Sequence, residues 1–282
     1  QAAMIRAYVK WDDEPRSAKA LQESLARALW QSVTVPMGPT YVALDSEIQE
    51  SALSDGTAFI DPARFMPAVD AGASDAEISL LAEKLRAARH PVILCGRSSR
   101  SEDAWHARVA LAESLKAAVI TDPRLGASFP TDHPLFVGGT AKPLPKVIEK
   151  IRAADLIVSL DITDLGGFLS MCCGDDQPAA QIVNISLDHR LHNGWSMDHM
   201  PLPPADLHIA AAPDTVVVAL NAKLGIAAKQ GAIEAPVTAG EKTQNSGLPG
   251  LGDLASELRH AATGRQVSLL HTPIAWRQSF WD

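Results

Sequence analysis

The chain has 282 residues, 46 % hydrophobic and 21 % charged, enough for at least one full domain with a sizeable core. A net charge of -8 argues against a nucleic-acid partner, which needs clustered Lys and Arg, and no apolar run reaches the ~18 residues of a membrane span. Three cysteines, Cys95 and the adjacent Cys172 and Cys173, give an odd count that argues against a disulfide framework, and with no basic-then-apolar leader a cytoplasmic location is expected.

Residues 1–50 read as a helix and then a strand. Ser17 is the expected N-cap, with Leu21, Leu25, Ala28 and Leu29 at helical spacing behind it. Pro36, Gly38 and Pro39 end that helix, and Thr40 to Leu44 (TYVAL) reads as a short buried strand with an acidic exit. One helix and one strand make no core, so this segment must lie against upstream sequence or another subunit. Residues 51–73 lack periodicity and carry Gly56, Pro62, Pro67 and Gly72, the mark of a linker.

At Ser74 the pattern changes. Ser74 and Glu77 form a capping box, each side chain satisfying the other's free backbone N–H, and Ile78, Leu81 and Leu85 are the buried stripe behind it. Val92 to Cys95 is a strand. A helix from about Asp103 to Lys116 follows, carrying Trp105, Val109, Ala112 and Leu115. Ala118 to Thr121 is the next strand, and Leu144, Val147, Ile148 and Ile151 mark a helix. Leu156 to Leu160 (LIVSL) is the strongest strand, followed by Ile182 to Ile185 and Leu207 to Ile209. Asp214 is the expected cap of a last helix carrying Val217, Leu220 and Leu224. Short apolar strands alternating with helices imply βαβ units, so the fold class is α/β: a Rossmann-like, doubly wound parallel sheet over 74–225. Residues 226–252 read as a second linker, and 253–282 as one helix and a short strand ending in Trp276, Phe280 and Trp281.

The order GPTYVALD, proline-bearing linker, capped helix, HPVILCGRSSR, AVITDPRLGASFPTDHP, ADLIVSLD resembles the thiamine-diphosphate-dependent enzymes of the acetolactate synthase type. The resemblance covers nearly the whole chain. It implies that 1–50 end a pyrimidine-binding domain, that 74–225 are the central domain, and that 253–282 begin a diphosphate-binding domain. It also implies thiamine diphosphate and Mg2+ as cofactors of a parent enzyme, a small 2-oxo acid as substrate of a decarboxylation or carboligation, and a homodimer or homotetramer. In this family a glutamate that activates the cofactor lies upstream of the GPV-strand region, so it is expected before Gln1. The metal-holding Gly-Asp-Gly…Asn pattern is not matched: Cys173-Gly174-Asp175-Asp176 lacks the second Gly and the Asn. The segment is therefore expected to be structural and inactive alone.

Candidate sites gather at predicted strand exits. Gly96, Arg97 and Ser98 follow the first central strand, where doubly wound sheets bind nucleotides. Some members of the family hold FAD or ADP there, so Gly96 is a candidate for close phosphate approach and Arg97 for phosphate pairing. The single glycine in place of G-x-G-x-x-G favours an ordinary strand-exit turn. Asp161, with Asp164 after it, and Asp188 follow later strands, placed either to accept from ribose hydroxyls or to cap turns. In DHRLHNGWSMDH, His189, His192 and His199 match no zinc spacing, so an interface loop is expected and no metal site. Thr131-Asp132-His133 lacks a G-x-S-x-G nucleophile elbow, which argues against hydrolase chemistry. Cys95 reads as a small buried apolar residue. The alternative function is a stand-alone ADP- or FAD-type module or a non-catalytic scaffold. A sirtuin-like deacylase needs more cysteines than three.

Overall fold

A computed structural model describes residues 2–53, 58–61, 64, 70–174, 176, 178–188 and 201–227, with isolated positions between 256 and 263. The chain divides into two compact units, Gln1–Ala232 and Ile233–Asp282. In the second, residues 256–258, 260 and 261 are helical; the expected strand at Val267 to Leu270 and the aromatic tail lie outside the described residues. Among the described residues no helix is long and apolar enough to cross a membrane.

The first unit opens with α1 (Ala2–Ile5), a 3-10 turn (Arg6–Tyr8), β1 (Trp11–Asp13), α2 (Ala18–Val33), β2 (Thr40–Val42) and α3 (Ser46–Glu50). Ser17 caps α2 as expected, its Oγ accepting from the Ala20 N–H at 3.1 Å. β1 pairs with β2 in parallel, Trp11 opposite Thr40, so the segment is a βαβ unit. Sequence reading missed β1 because two of its three residues are aspartates, which are depleted in strands. Two expectations need correction. Leu25 and Leu29 are 51 % and 64 % exposed; of the expected stripe α2 buries Ala28, and it buries Ser24 as well. The strand expected to be buried is only half-buried at all three residues. A parallel sheet needs cover on both faces, and two strands with one helix do not supply it.

The second sheet is the core. Its elements are α4 (Asp75–Ala87), β3 (Pro91–Cys95), α5 (Glu102–Leu115), β4 (Ala118–Thr121), β5 (Phe136–Gly139), α6 (Pro145–Ala153), β6 (Leu156–Leu160), α7 (Leu165–Cys173), β7 (Gln181–Ile185), β8 (Leu207–Ile209) and α8 (Pro213–Leu224). All pairings are parallel and the spatial order is β5-β4-β3-β6-β7-β8. The chain thus starts at the centre, runs outward to β5, returns to lay β6 beside β3, and runs outward the other way. That is the doubly wound order the alternating pattern implied.

Alternation along each strand sends successive side chains to opposite faces. One face carries Val92, Leu94, Ile120, Ile157 and Ile182 under α6 and α7, whose Val147, Ile151, Phe168 and Leu169 complete a single apolar cluster. On the other, α8 packs against both α4 and α5. The Ser74–Glu77 capping box forms as expected. β5 (FVGG) and α7 (LGGFLSMCC) escaped the sequence reading for physical reasons. Two glycines hide the strand, and a helix apolar nearly all round shows no 3.6-residue period.

Candidate functional site

In a doubly wound sheet the strand order reverses at one point, and ligands bind in the crevice outside the carboxyl ends of the two strands that flank it. Here those strands are β3 and β6. The turn after β3 brings Gly96, Arg97 and Ser98; the turn after β6 brings Asp161; and Asp188 arrives from beyond β7. The structure therefore gathers Gly96, Arg97, Asp161 and Asp188 at one edge.

Gly96 is packed against backbone. Its N–H donates to the Leu160 carbonyl at 2.9 Å, and the Arg97 N–H donates to the Asp161 carbonyl at 2.9 Å, so the two strands stay zipped past their formal ends. A Cβ at residue 96 would stand 2.2 Å from the Asp161 carbonyl oxygen, which only glycine avoids. Ser98 turns its Oγ back toward the Gly96 carbonyl at 3.4 Å.

The Arg97 guanidinium forks between two carboxylates. Nε and Nη2 donate to Asp161 at 3.0 and 2.9 Å, and Nη2 also donates to Asp188 at 2.7 Å. Asp161 is fully buried and takes a third bond from Ser186 Oγ at 2.5 Å. Its backbone sits in the left-handed region at φ 57°, a strain held by the bonds on both sides of its peptide units. Burial works against the charged form of Arg97, but the Asp161 charge and the bonds to both carboxylates outweigh it and push its pKa up. Lys10, in the first βαβ unit, lies within electrostatic reach of Arg97. Its ammonium donates to the Gln31 and Thr34 carbonyls at the end of α2, and its pKa is lowered by burial and then by the Arg97 charge.

A second ion pair pins the same turn from behind. Arg108 is 2 % exposed and forms a salt bridge to Asp214. Its other donors reach the carbonyls of Ser128 at 3.0 Å, Ala127 at 3.1 Å and Ser99 at 3.4 Å. Asp214 Oδ2 accepts from the Ser99 N–H at 2.7 Å. The expectation that Asp214 caps α8 is corrected here: Ala212 is the N-cap, with no side-chain bond, and the Asp214 carboxylate is drawn to Arg108 and the β3 turn instead. Sequence reading passed over Arg108 and Ser186. The signal for Arg108 was a cation inside the apolar stripe of α5, between Ala104 and Ala112, where only a paired charge is tolerated.

Asp164 does cap a helix, accepting from the Gly167 N–H at 2.9 Å at the start of α7. His133 Nδ1 accepts from the Leu135 N–H at 3.1 Å and its Nε2 lies 3.3 Å from Glu113, so the ring braces a loop. Burial pushes the Cys95 thiol up to about 12, which suits an inert core residue. His189, His192 and His199 lie outside the described residues, and among those described no group of three or more His, Cys, Asp or Glu is arranged to hold a metal ion.

Residues 78–193 match the family model for the thiamine pyrophosphate enzyme central domain. Sulfoacetaldehyde acetyltransferase of Rhodobacter capsulatus is 29 % identical over 238 residues, covering 83 % of this chain and 35 % of that protein. Benzoylformate decarboxylase of Pseudomonas aeruginosa is 25 % identical over 185 residues, covering 65 % of this chain and 34 % of that protein. Among solved structures, benzoylformate decarboxylase from Polynucleobacter necessarius superposes with a TM-score of 0.64 at 20 % identity, over 94 % of this chain and 48 % of that one, a likeness of fold. The chain spans about a third of the length of the curated relatives it matches.

Proposed function

We propose that the chain is the central part of a longer thiamine pyrophosphate enzyme that acts on a small 2-oxo acid, by decarboxylation or carboligation. The supporting observation is the match over residues 78–193, which takes in five of the six strands of the doubly wound sheet, β3 to β7. Benzoylformate is itself a 2-oxo acid, and decarboxylation, the activity that names that relative, is one of the two outcomes the reading allows.

On this reading residues 1–50 end a pyrimidine-binding domain, 51–73 and 226–252 are linkers, 74–225 are the central domain, and 253–282 begin a diphosphate-binding domain. The parent enzyme is cytosolic and assembles as a homodimer or homotetramer. Thiamine diphosphate, when bound, supplies the electron sink for breaking the bond beside the oxo group. The side chains described here offer no metal-ligand group for its magnesium, so no step is derived through them. On this reading the chain's contribution is structural, its buried β3–β6 pair forming the centre of the domain that stands between the two catalytic domains in sequence.

Calorimetric titration of the 282-residue chain with thiamine diphosphate and magnesium is expected to give no binding heat. The product of the whole gene is expected to release CO2 from one or more of a panel of 2-oxo acids, only with both cofactors added. Tight cofactor binding by this chain would overturn the division of labour. A whole protein indifferent to thiamine diphosphate would overturn the reading itself.

A further inference from the structure

A phosphate at a switch point needs free donors: backbone N–H groups of a glycine turn running into a helix, and cations not already paired. The turn after β3 has spent most of its donors on the protein. The Gly96 and Arg97 N–H groups bond to Leu160 and Asp161 carbonyls, the Ser99 N–H to the Asp214 carboxylate, and the Ser101 N–H to Ser99 Oγ. The Ser101 hydroxyl in turn caps α5, whose first turn carries Glu102 and Asp103 and so presents negative charge to an arriving anion. Among the described residues Arg97 is engaged by Asp161 and Asp188, Arg108 by Asp214 and the Lys10 ammonium by the Gln31 and Thr34 carbonyls, so three carboxylates face the two paired guanidiniums, while Arg100 of the same turn is exposed to solvent.

We propose that this crevice is filled by the protein's own acids: Asp161, Asp188 and Asp214 occupy the positions a nucleotide's oxygens would take, and with Arg97 and Arg108 they form a clasp across β3, β6 and β7 that binds neither ADP nor FAD. Glycine at 96 belongs to the clasp too, since it admits the Asp161 backbone where a nucleotide-binding glycine would admit a phosphate. The clasp joins residues 64 and 91 positions apart in sequence. It sits where Lys10 brings the first βαβ unit within reach of Arg97. This inference is independent of thiamine diphosphate binding elsewhere, so the two fail separately.

Two measurements on the purified chain test it. Acid denaturation followed by chromatography is expected to release no stoichiometric adenine nucleotide, and titration with ADP or FAD to about 1 mM to show no saturation. Release near one nucleotide per chain, or saturable binding at tens of micromolar, would overturn the proposal. Arg97→Met is expected to lower Tm by about 5 °C or more, because two buried carboxylates lose their counter-ion, and Asp188→Asn added to it is expected to restore part of the loss. An unchanged Tm in Arg97→Met, or losses that simply add in the double variant, would mean Arg97 waits for a ligand. Should Arg97→Met not fold, recovery of soluble protein by Asp188→Asn supports the clasp, and failure to recover counts against it.

Discussion

Two parallel sheets lie in the first unit of this chain, wired by the same βαβ logic, and they end in different physical states. Every residue of β3 and β6 is buried, whereas every residue of β1 and β2 is half-exposed. The difference lies in closure. Six strands with helices on both faces bury their own apolar surface; two strands and α2 leave Leu25, Leu29, Trp30 and Val33 outward. Propensity and pairing are enough to draw a βαβ unit, but only a second covered face makes it stable by itself.

The sharpest way to break this comparison is to cut the same kind of side chain in each sheet. Ile157, fully buried in β6, belongs to the cluster under α6 and α7, and Ile157→Ala is expected to cost about 2–5 kcal/mol by lost transfer energy and a cavity. Val42→Ala in β2, half-buried, is expected to cost under about 1 kcal/mol in this chain. Urea melts followed by circular dichroism give both numbers, and amide exchange should find β1 and β2 opening well before β3 and β6. Equal costs would mean the small unit is as closed as the large one.

The contrast also marks what could be read without a structure. The strands β3 and β6 were legible because buried parallel strands are short apolar runs, and PVILC and LIVSL have no other reading at that length. The capping box was legible because its two residues are three apart. Leu25 and Leu29 misled because periodicity reports that a helix face is apolar, and says nothing about whether anything covers it. The residues Arg97, Asp161 and Asp188 were each picked out by strand exit, yet their mutual pairing was not foreseen. A contact across 64 or 91 residues leaves no local period; it exists only once the strand order is known.

A smaller effect sharpens where the self-sufficient part begins. Ser74 accepts from the Glu77 N–H at 3.3 Å, and Glu77 returns a bond from the Ser74 N–H at 2.8 Å, closing the first turn of α4. Ser74→Ala is expected to cost about 1 kcal/mol. Because α4 packs on α8 over the large sheet, the loss should appear in global unfolding and leave the exchange rates of β1 and β2 unchanged. A matching change in β1 and β2 would show that the two sheets unfold together.

The smallest expected effect uses acid. Asp155 stands just before β6 and its carboxylate accepts from the Arg89 and His90 N–H groups at 2.6 and 2.9 Å, tying the start of β6 to the turn before β3. Partial burial pulls its pKa upward, but those N–H bonds outweigh it and hold the carboxyl below its ordinary value. A carboxylate whose pKa is depressed in the folded state adds stability that is present above the unfolded value and lost as pH falls through the folded one. The contribution of Asp155 is therefore expected to fade below about pH 4, and solvent screening of this exposed group keeps it under about 1 kcal/mol. Asp155→Asn should flatten that part of the stability curve while leaving the neutral-pH shape alone. The loss should fall on the large sheet only, since Asp155 bonds the strands there and makes no bond to the first βαβ unit among the described residues.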